Sequence, residues 1–320
     1  VRILVTGGCG YIGSHMVRVL RRARHEVIVL DDLSSGDAAT VPAGVDLVVG
    51  NVRDHALVTP LLRDRSVEAI FHFASRIQVG ESVVDPRLYF RDNLGAAIDL
   101  LESALDAGVG RFVLSSTAAV YGSPVRVPLD EDHPLDPINP YGETKLAIER
   151  MLARYATAYG LKYAALRYFN AAGGLADEGL GERHVPETHL IPLVIDAATG
   201  ARPAITVFGT DYPTPDGTCI RDYIHVADLA EAHLAALDHL ERGGPSLAFN
   251  LGTGQGHSVR EVIQAVESVS GRKVPVVFGA RRDGDPPVLV ASAKRAEGVL
   301  GWRARRPSLR EIVADAWACR

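Results

Sequence analysis

The sequence predicts a doubly wound α/β protein: a mainly parallel sheet covered by helices on both faces, followed by a smaller mixed α/β lobe. Three observations carry this. Six short runs, RILVT (2–6), EVIVLD (26–31), VDLVVG (45–50), AIFHFA (69–74), RFVLSS (111–116) and KYAALRYF (162–169), are apolar without polar alternation. Strands buried on both faces have that pattern. Helical stretches near 12–24, 55–64, 87–107 and 141–160 separate them, and strand–helix repetition builds a parallel sheet. After about residue 170 the texture changes: turn-rich segments (170–189 and 209–223) alternate with single elements, among them AITVFG, a helix over 226–240, LAFNLG, a helix from Ser258, VPVVFG and two closing helices. The expected division is residues 1–169 for the first domain and 170–320 for the second lobe, partly interleaved with it.

The 320 residues are 47% hydrophobic and 23% charged, with a net charge of −5. A nucleic-acid or membrane-surface binder needs a basic face, so both classes are disfavoured. Cys9, Cys219 and Cys319 are widely spaced and match no metal or redox pattern. No run approaches the ~20 apolar residues of a membrane span, and VRILVTGG enters a strand pattern directly. The expected location is the cytoplasm.

Gly7, Gly10 and Gly13 lie between the first strand and first helix, spaced G-x-x-G-x-x-G. Glycine there permits a tight turn and lets the backbone approach a pyrophosphate at the helix N-terminus. Asp31 ends the second strand eighteen residues after Gly13, where an acid accepts the ribose hydroxyls of an adenosine. Asp32 follows, with no arginine close behind, so a 2′-phosphate is repelled and NAD is favoured over NADP. This is a Rossmann-type dinucleotide pattern, with Asn51 at the end of the third strand placed to reach adenine.

The second chemical signal is NPYGETKLAIE (139–149). The chain has four lysines against thirty arginines, and one of the four, Lys145, stands four residues after Tyr141. On a helix those side chains share a face. A phenol with its usual pKa of ~10 is a poor base at neutral pH, and an ammonium or an oxidised nicotinamide beside it favours the phenolate. Spacing alone proves little, but Ser115, Ser116 and Thr117 end the fifth strand, where open α/β sheets bind ligands. A hydroxyl there can donate to a sugar oxygen while Tyr141 takes its proton.

In this order TGGCGYIG, STAAVYG, PYGETK, RYFN, RDYIHV and RRDGDPP, with YPTPDGT ahead of the last two, resemble the UDP-glucose 4-epimerases (UDP-galactose 4-epimerases) of the extended short-chain dehydrogenase/reductase superfamily. The resemblance covers essentially the whole chain. It implies bound NAD, a UDP-sugar substrate, a homodimer, and inversion at C4 of a UDP-hexose through a 4-keto sugar. It implies Tyr141 as base, Lys145 on the nicotinamide ribose, and Thr117 bridging to the sugar 4-oxygen. Carried over by position, Tyr11 and Ile12 sit at the pyrophosphate, Asp31, Asp32 and Ser35 at the adenosine, Asn51 and Val52 at adenine, and Phe73, Ala74, Asp92 and Phe169 along the cofactor. Asn170, His189, Leu190, Phe208, Arg221, Tyr223, Arg282, Asp285 and Leu289 would meet the substrate: Arg221 and Arg282 on the diphosphate, Asp285 on the uridine ribose, Phe208 over uracil.

The sequence departs from the family at Ile77, where a lysine is common, at Asp92, often Asn, and at His189, which replaces an amide. Leu289 occupies a wall position where some members carry tyrosine, so acceptance of UDP-GlcNAc and UDP-GalNAc is expected as well. A 4,6-dehydratase is disfavoured because Ala118 and Ala119 stand where its acid pair belongs. Uronate or pentose epimerases stay open as alternatives. A non-catalytic NAD-binding protein would tend to lose the Tyr–Lys pair. His15, His25, His233 and His239 receive no role, and no metal site is expected.

Overall fold

The computed structural model describes residues 1–282 and 285–320. Seven parallel strands form the main sheet: β1 (Arg2–Thr6), β2 (Glu26–Asp31), β3 (Asp46–Val49), β4 (Ala69–His72), β5 (Arg111–Thr117), β6 (Lys162–Tyr168) and β10 (Leu247–Leu251), in the order β3-β2-β1-β4-β5-β6-β10. The strands alternate their apolar residues between two cores. Ile3, Val5, Val29, Phe71 and Val113 pack under α1 (Tyr11–Arg22) and α8 (Val226–Glu241). Leu4, Leu30, Ile70, Phe112 and Leu114 pack under α2 (His55–Asp64), α5 (Ala96–Asp106) and α6 (Pro140–Tyr159).

One expectation needed revision. The helix expected over 87–107 is interrupted: a short helix α4 (Pro86–Tyr89) runs into a π-helical turn, Phe90–Gly95, before α5. The wider turn carries Asn93 into the interior, where its Oδ1 accepts from Arg76 N at 2.8 Å and its Nδ2 donates to Arg76 O at 3.0 Å. The expected interleaving concerns α8 and β10. β10 pairs with β6 in register, Phe249 against Leu166. α8 buries Leu229, Leu237 and Leu240 on the same face as α1; burial of each such side chain contributes roughly 1.5–3 kcal/mol. The chain therefore returns to the large sheet after residue 220, so the two parts interleave.

The remaining elements form a second core. α7 (Leu190–Thr199), α9 (Val259–Ser270) and α10 (Leu309–Ala318) enclose Ile191, Val194, Val262, Val266 and Ile312. Beside them, β9 (Ile220–His225) pairs with β7 (Asn170–Ala172), β11 (Gly256–Ser258) and β13 (Val288–Leu289). β8 (Ile205–Phe208) pairs with β12 (Val276–Gly279). Cys9, Cys219 and Cys319 are free thiols. Among the described residues no helix is long and apolar enough to cross a membrane.

The closing segment is anchored by one buried carboxylate. Asp228, fully buried in the first turn of α8, accepts from Arg305 N at 2.8 Å and Arg306 N at 2.7 Å, and pairs with Arg306 Nη1 at 2.9 Å. Removing it leaves two amides and a guanidinium without their acceptor, which costs about 2–4 kcal/mol. Asp228→Ala is expected to lower the unfolding free energy in urea by that amount, and a loss under 1 kcal/mol would show that the anchor is dispensable.

Candidate active site

The residues singled out in the sequence collect at the carboxyl ends of β1, β2, β4, β5 and β6. The glycine turn is fixed first. Gly7 has φ +71°, and a Cβ added there would sit 2.6 Å from Ala74 N. A Cβ on Gly13 would lie 2.1 Å from Gly7 O, so the first turn of α1 closes against the loop only without a side chain. The cap residue Gly10 offers no side-chain hydrogen bond, and the first turn of α1 holds no acidic residue. Uncapped amides at a helix start form an anion cradle, and a bare backbone can approach a pyrophosphate closely. The buried Asp31 braces the cradle: its Oδ2 accepts from Cys9 N and its Oδ1 from Leu33 N, both at 2.9 Å. A carboxylate has lone pairs to spare for ribose hydroxyls. These features fit a dinucleotide.

Several expected contacts are already engaged within the chain. The Tyr11 hydroxyl donates to Gly173 O at 2.8 Å, and its ring meets His15 and His184 edge-on, so only its backbone stays at the helix start. Asn51 Nδ2 donates to Asp32 Oδ2 at 3.1 Å and its Oδ1 accepts from Arg53 N. Asp92 is paired with Arg76 at 2.7 Å and Arg91 at 2.6 Å. Ser35 and Ile77 are exposed, and Val52 is buried in the core under α2 and α5. Ala74 is half-buried beside the glycine turn. Phe73, also half-buried, stacks on His233, which sits in the core among Phe71, Phe73 and Tyr168.

The Tyr–Lys helix is positioned by both ends. Asn139 accepts from Gly142 N at 2.9 Å, Pro140 opens the first turn, and Gly160 closes the helix in the left-handed conformation. Tyr141 is 9% and Lys145 1% exposed. Lys145 Nζ donates to Ser115 O at 2.9 Å. The three hydroxyls of β5 separate by partner. Ser115 Oγ bonds the Tyr168 hydroxyl, Ser116 Oγ donates to Glu149, and Thr117 Oγ1 accepts from Ala119 N at 3.1 Å beside Tyr141. Thr117 is thus the hydroxyl that faces the phenol.

Burial pushes the Tyr141 phenol up to about 12, against a smaller downward pull from its hydrogen bond with Thr117. Burial likewise pulls the Lys145 amine down to about 7, with the Glu149 charge acting upward. In the chain alone burial is the largest influence on both groups. Glu149 escaped the sequence reading, although it lies one turn beyond Lys145 on the same face.

On the substrate side, Phe208 and Arg282 stack, with the guanidinium carbon 4.0 Å from the ring centroid. Arg221 Nη2 is ion-paired with Asp285 Oδ1, so these two expected contacts hold each other. Asp283 and Gly284, the centre of the RRDGDPP motif, lie outside the described residues. Leu289 pairs with Arg221 across β13 and β9, and with Phe169 it packs on Val120, Tyr121 and Leu146 beside α6. Asn170 Nδ2 donates to Asp222 O at 2.9 Å. Tyr223 is buried in the second core, against which Leu190 also packs. The His189 ring turns away to Glu182, with Nδ1 2.6 Å from Oε1.

A parallel sheet with a glycine cradle and a buried Tyr–Lys helix defines a nucleotide-dependent enzyme of the dinucleotide-binding class. A sequence model described as the NAD dependent epimerase/dehydratase family matches residues 3–252, and the chain belongs to that family. It is 50% identical over 315 residues to a UDP-glucose 4-epimerase of Azospirillum brasilense, covering 98% of this chain and 90% of the relative. The UDP-glucose 4-epimerase of Brucella ovis, solved in complex with NAD, superposes with a TM-score of 0.96 at 47% identity, over 99% of this chain and 97% of the other. The UDP-Glc/GlcNAc 4-epimerase of Campylobacter jejuni does so with a TM-score of 0.88 at 41% identity, over 99% and 98%.

The cradle can be tested directly. Gly13→Ala is expected to cut the NAD retained by the purified protein at least tenfold while the fold survives by circular dichroism. Unchanged NAD content would mean that the turn does not hold the pyrophosphate.

Proposed function

We propose that this chain interconverts UDP-galactose and UDP-glucose by inverting C4 through a 4-keto sugar, with NAD held throughout. The observation that carries the reading is the buried Tyr141, with Thr117 beside it and Lys145 one turn along the same helix, at the carboxyl end of β5. The near full-length similarity to UDP-glucose 4-epimerases supports the same substrate class.

When bound, NAD supplies the reversible acceptor for the hydrogen removed from C4. The chain's own residues manage the proton and the geometry. Tyr141 accepts the proton of the sugar 4-hydroxyl and returns it to the inverted product, while the Thr117 hydroxyl donates to the same oxygen and steers it. Lys145 is a compact multi-donor cation suited to the nicotinamide ribose, and its charge favours the phenolate. The glycine turn and Asp31 orient the dinucleotide. Arg221 and Arg282 neutralise the diphosphate once Asp285 turns to the uridine ribose. Because hydrogen returns to the carbon it left, no external oxidant is consumed.

Ala118 and Ala119 form the turn after Thr117 and offer neither acid nor base, which weighs against dehydration. Leu289, packed beside Val120 and Leu146, is smaller than the tyrosine some relatives carry, so acetylated UDP-hexoses belong to the reading. So does a second copy of the chain as partner, for which Val83, Val84 and Phe90 offer exposed apolar surface; a monomer in sedimentation at micromolar concentration would remove that part.

The test is incubation of the purified protein with UDP-galactose, without reductant or added cofactor, and NMR identification of the sugar nucleotides. Conversion to an equilibrium mixture with UDP-glucose is expected. Tyr141→Phe should lose at least a thousandfold in kcat, and Leu289→Tyr should lower activity on UDP-GlcNAc relative to UDP-glucose. No conversion by the native chain, or full turnover by Tyr141→Phe, contradicts the reading.

A further inference from the structure

Beside Tyr11 the loop before α7 gathers four groups that the proposed reaction does not use. Glu182, His184, Glu187 and His189 each direct one ligand-type atom to a common region, all within 4.8 Å of one another. Glu182 is buried, with 8% of its surface exposed. Glu182 Oε1, His184 Nδ1, Glu187 Oε2 and His189 Nδ1 are shielded from solvent and have no hydrogen-bond partner. Buried polar atoms without partners are rare and costly, so four in one cluster ask for an occupant.

The spacing identifies it. His184 Nδ1 and His189 Nδ1 lie 3.2 and 2.6 Å from Glu182 Oε1, and 3.8 and 3.5 Å from Glu187 Oε1, the oxygen of that carboxylate that also accepts from Thr188 N and His189 N and so leaves Oε2 as its free ligand atom. A tetrahedral metal with ligands at ~2.0–2.1 Å has ligand–ligand edges of ~3.3–3.4 Å, in the middle of that range. Despite these close approaches neither ring nitrogen makes a hydrogen bond. We propose that Glu182, His184, Glu187 and His189 form a structural binding site for a divalent zinc ion. Two imidazoles and two carboxylates suit zinc better than calcium or magnesium, which take six or more oxygens. Two carboxylates also balance the charge of a dication.

The site has a mechanical role. The Tyr11 ring, at the start of the helix that carries the anion cradle, meets the His184 ring edge-on at 6.2 Å. His189 is the residue that caps α7, whose first residue is Leu190. Zinc would therefore staple the 182–189 loop between the cofactor side and the substrate side. The motif is legible as E-x-H-x-x-E-x-H in GERHVPETHL, residues 181–190.

The probe is zinc itself. Full-length protein is treated with chelator, equilibrated with zinc chloride, freed of excess by gel filtration and analysed for metal. About one zinc per chain is expected, with a rise in Tm of about 5 °C in excess zinc, and cobalt in its place should give the intense visible absorption of tetrahedral coordination. His184→Ala and Glu182→Gln should each retain less than a tenth of the native zinc, whereas His257→Ala, outside the cluster, should retain all of it. No retained zinc in the native chain, equal retention in the His184 and Glu182 variants, or a weak octahedral cobalt spectrum would each overturn the proposal. If those variants do not fold, the native stoichiometry and the cobalt spectrum decide.

Discussion

The buried ion pair between Glu149 and Arg167 holds the catalytic end of the molecule together. Arg167 Nη2 lies 2.6 Å from Glu149 Oε2, with side chains only 5% and 7% exposed. Removing two charges from water is expensive, and such a pair persists only when its remaining donors and acceptors are met. Here they are. Arg167 Nη1 donates to the Tyr121 hydroxyl at 3.0 Å, Tyr121 donates to Asn250 Oδ1, and Ser116 Oγ donates to Glu149. The network joins α6, which carries Tyr141, to β5, β6 and β10. One turn before Glu149, the same helix carries Lys145.

That arrangement leaves burial and charge in competition at the active residues. Desolvation holds the Tyr141 phenol near 12 and draws the Lys145 amine toward 7, while Glu149 opposes the second shift. A protein that only buried these groups would leave the phenol protonated and the amine half neutral. An oxidised nicotinamide adds positive charge beside the phenol, and hydroxyls of its ribose add hydrogen-bond partners for the amine. In the proposed reaction Tyr141 would then act as base only when the cofactor is in place.

The large sheet was legible because its strands are continuous apolar runs, and Gly7, Gly13, Asp31, Tyr141 and Lys145 could be singled out because each is marked by local spacing. What escaped depends on partners distant in sequence. Nothing near residue 247 says that LAFNL pairs with 162–168, since sheet order is not chain order. The break at 90–95 arises from Asn93 reaching back to Arg76. Asn51, Asp92 and Arg221 carry the right chemistry for ligands, but Asp32, Arg76 and Asp285 engage them in the chain itself. Glu149 went unremarked because its partner, Arg167, lies on the next strand.

The measurement to make first is the titration of Tyr141, read as the difference in phenolate absorbance between the native protein and Tyr141→Phe, with NAD bound and with NAD removed. Without cofactor we expect a midpoint near 12, as burial dictates. With NAD bound the midpoint should fall by several units toward neutrality. An identical midpoint in both forms would contradict the account, because the charge that activates the base would then have to come from elsewhere.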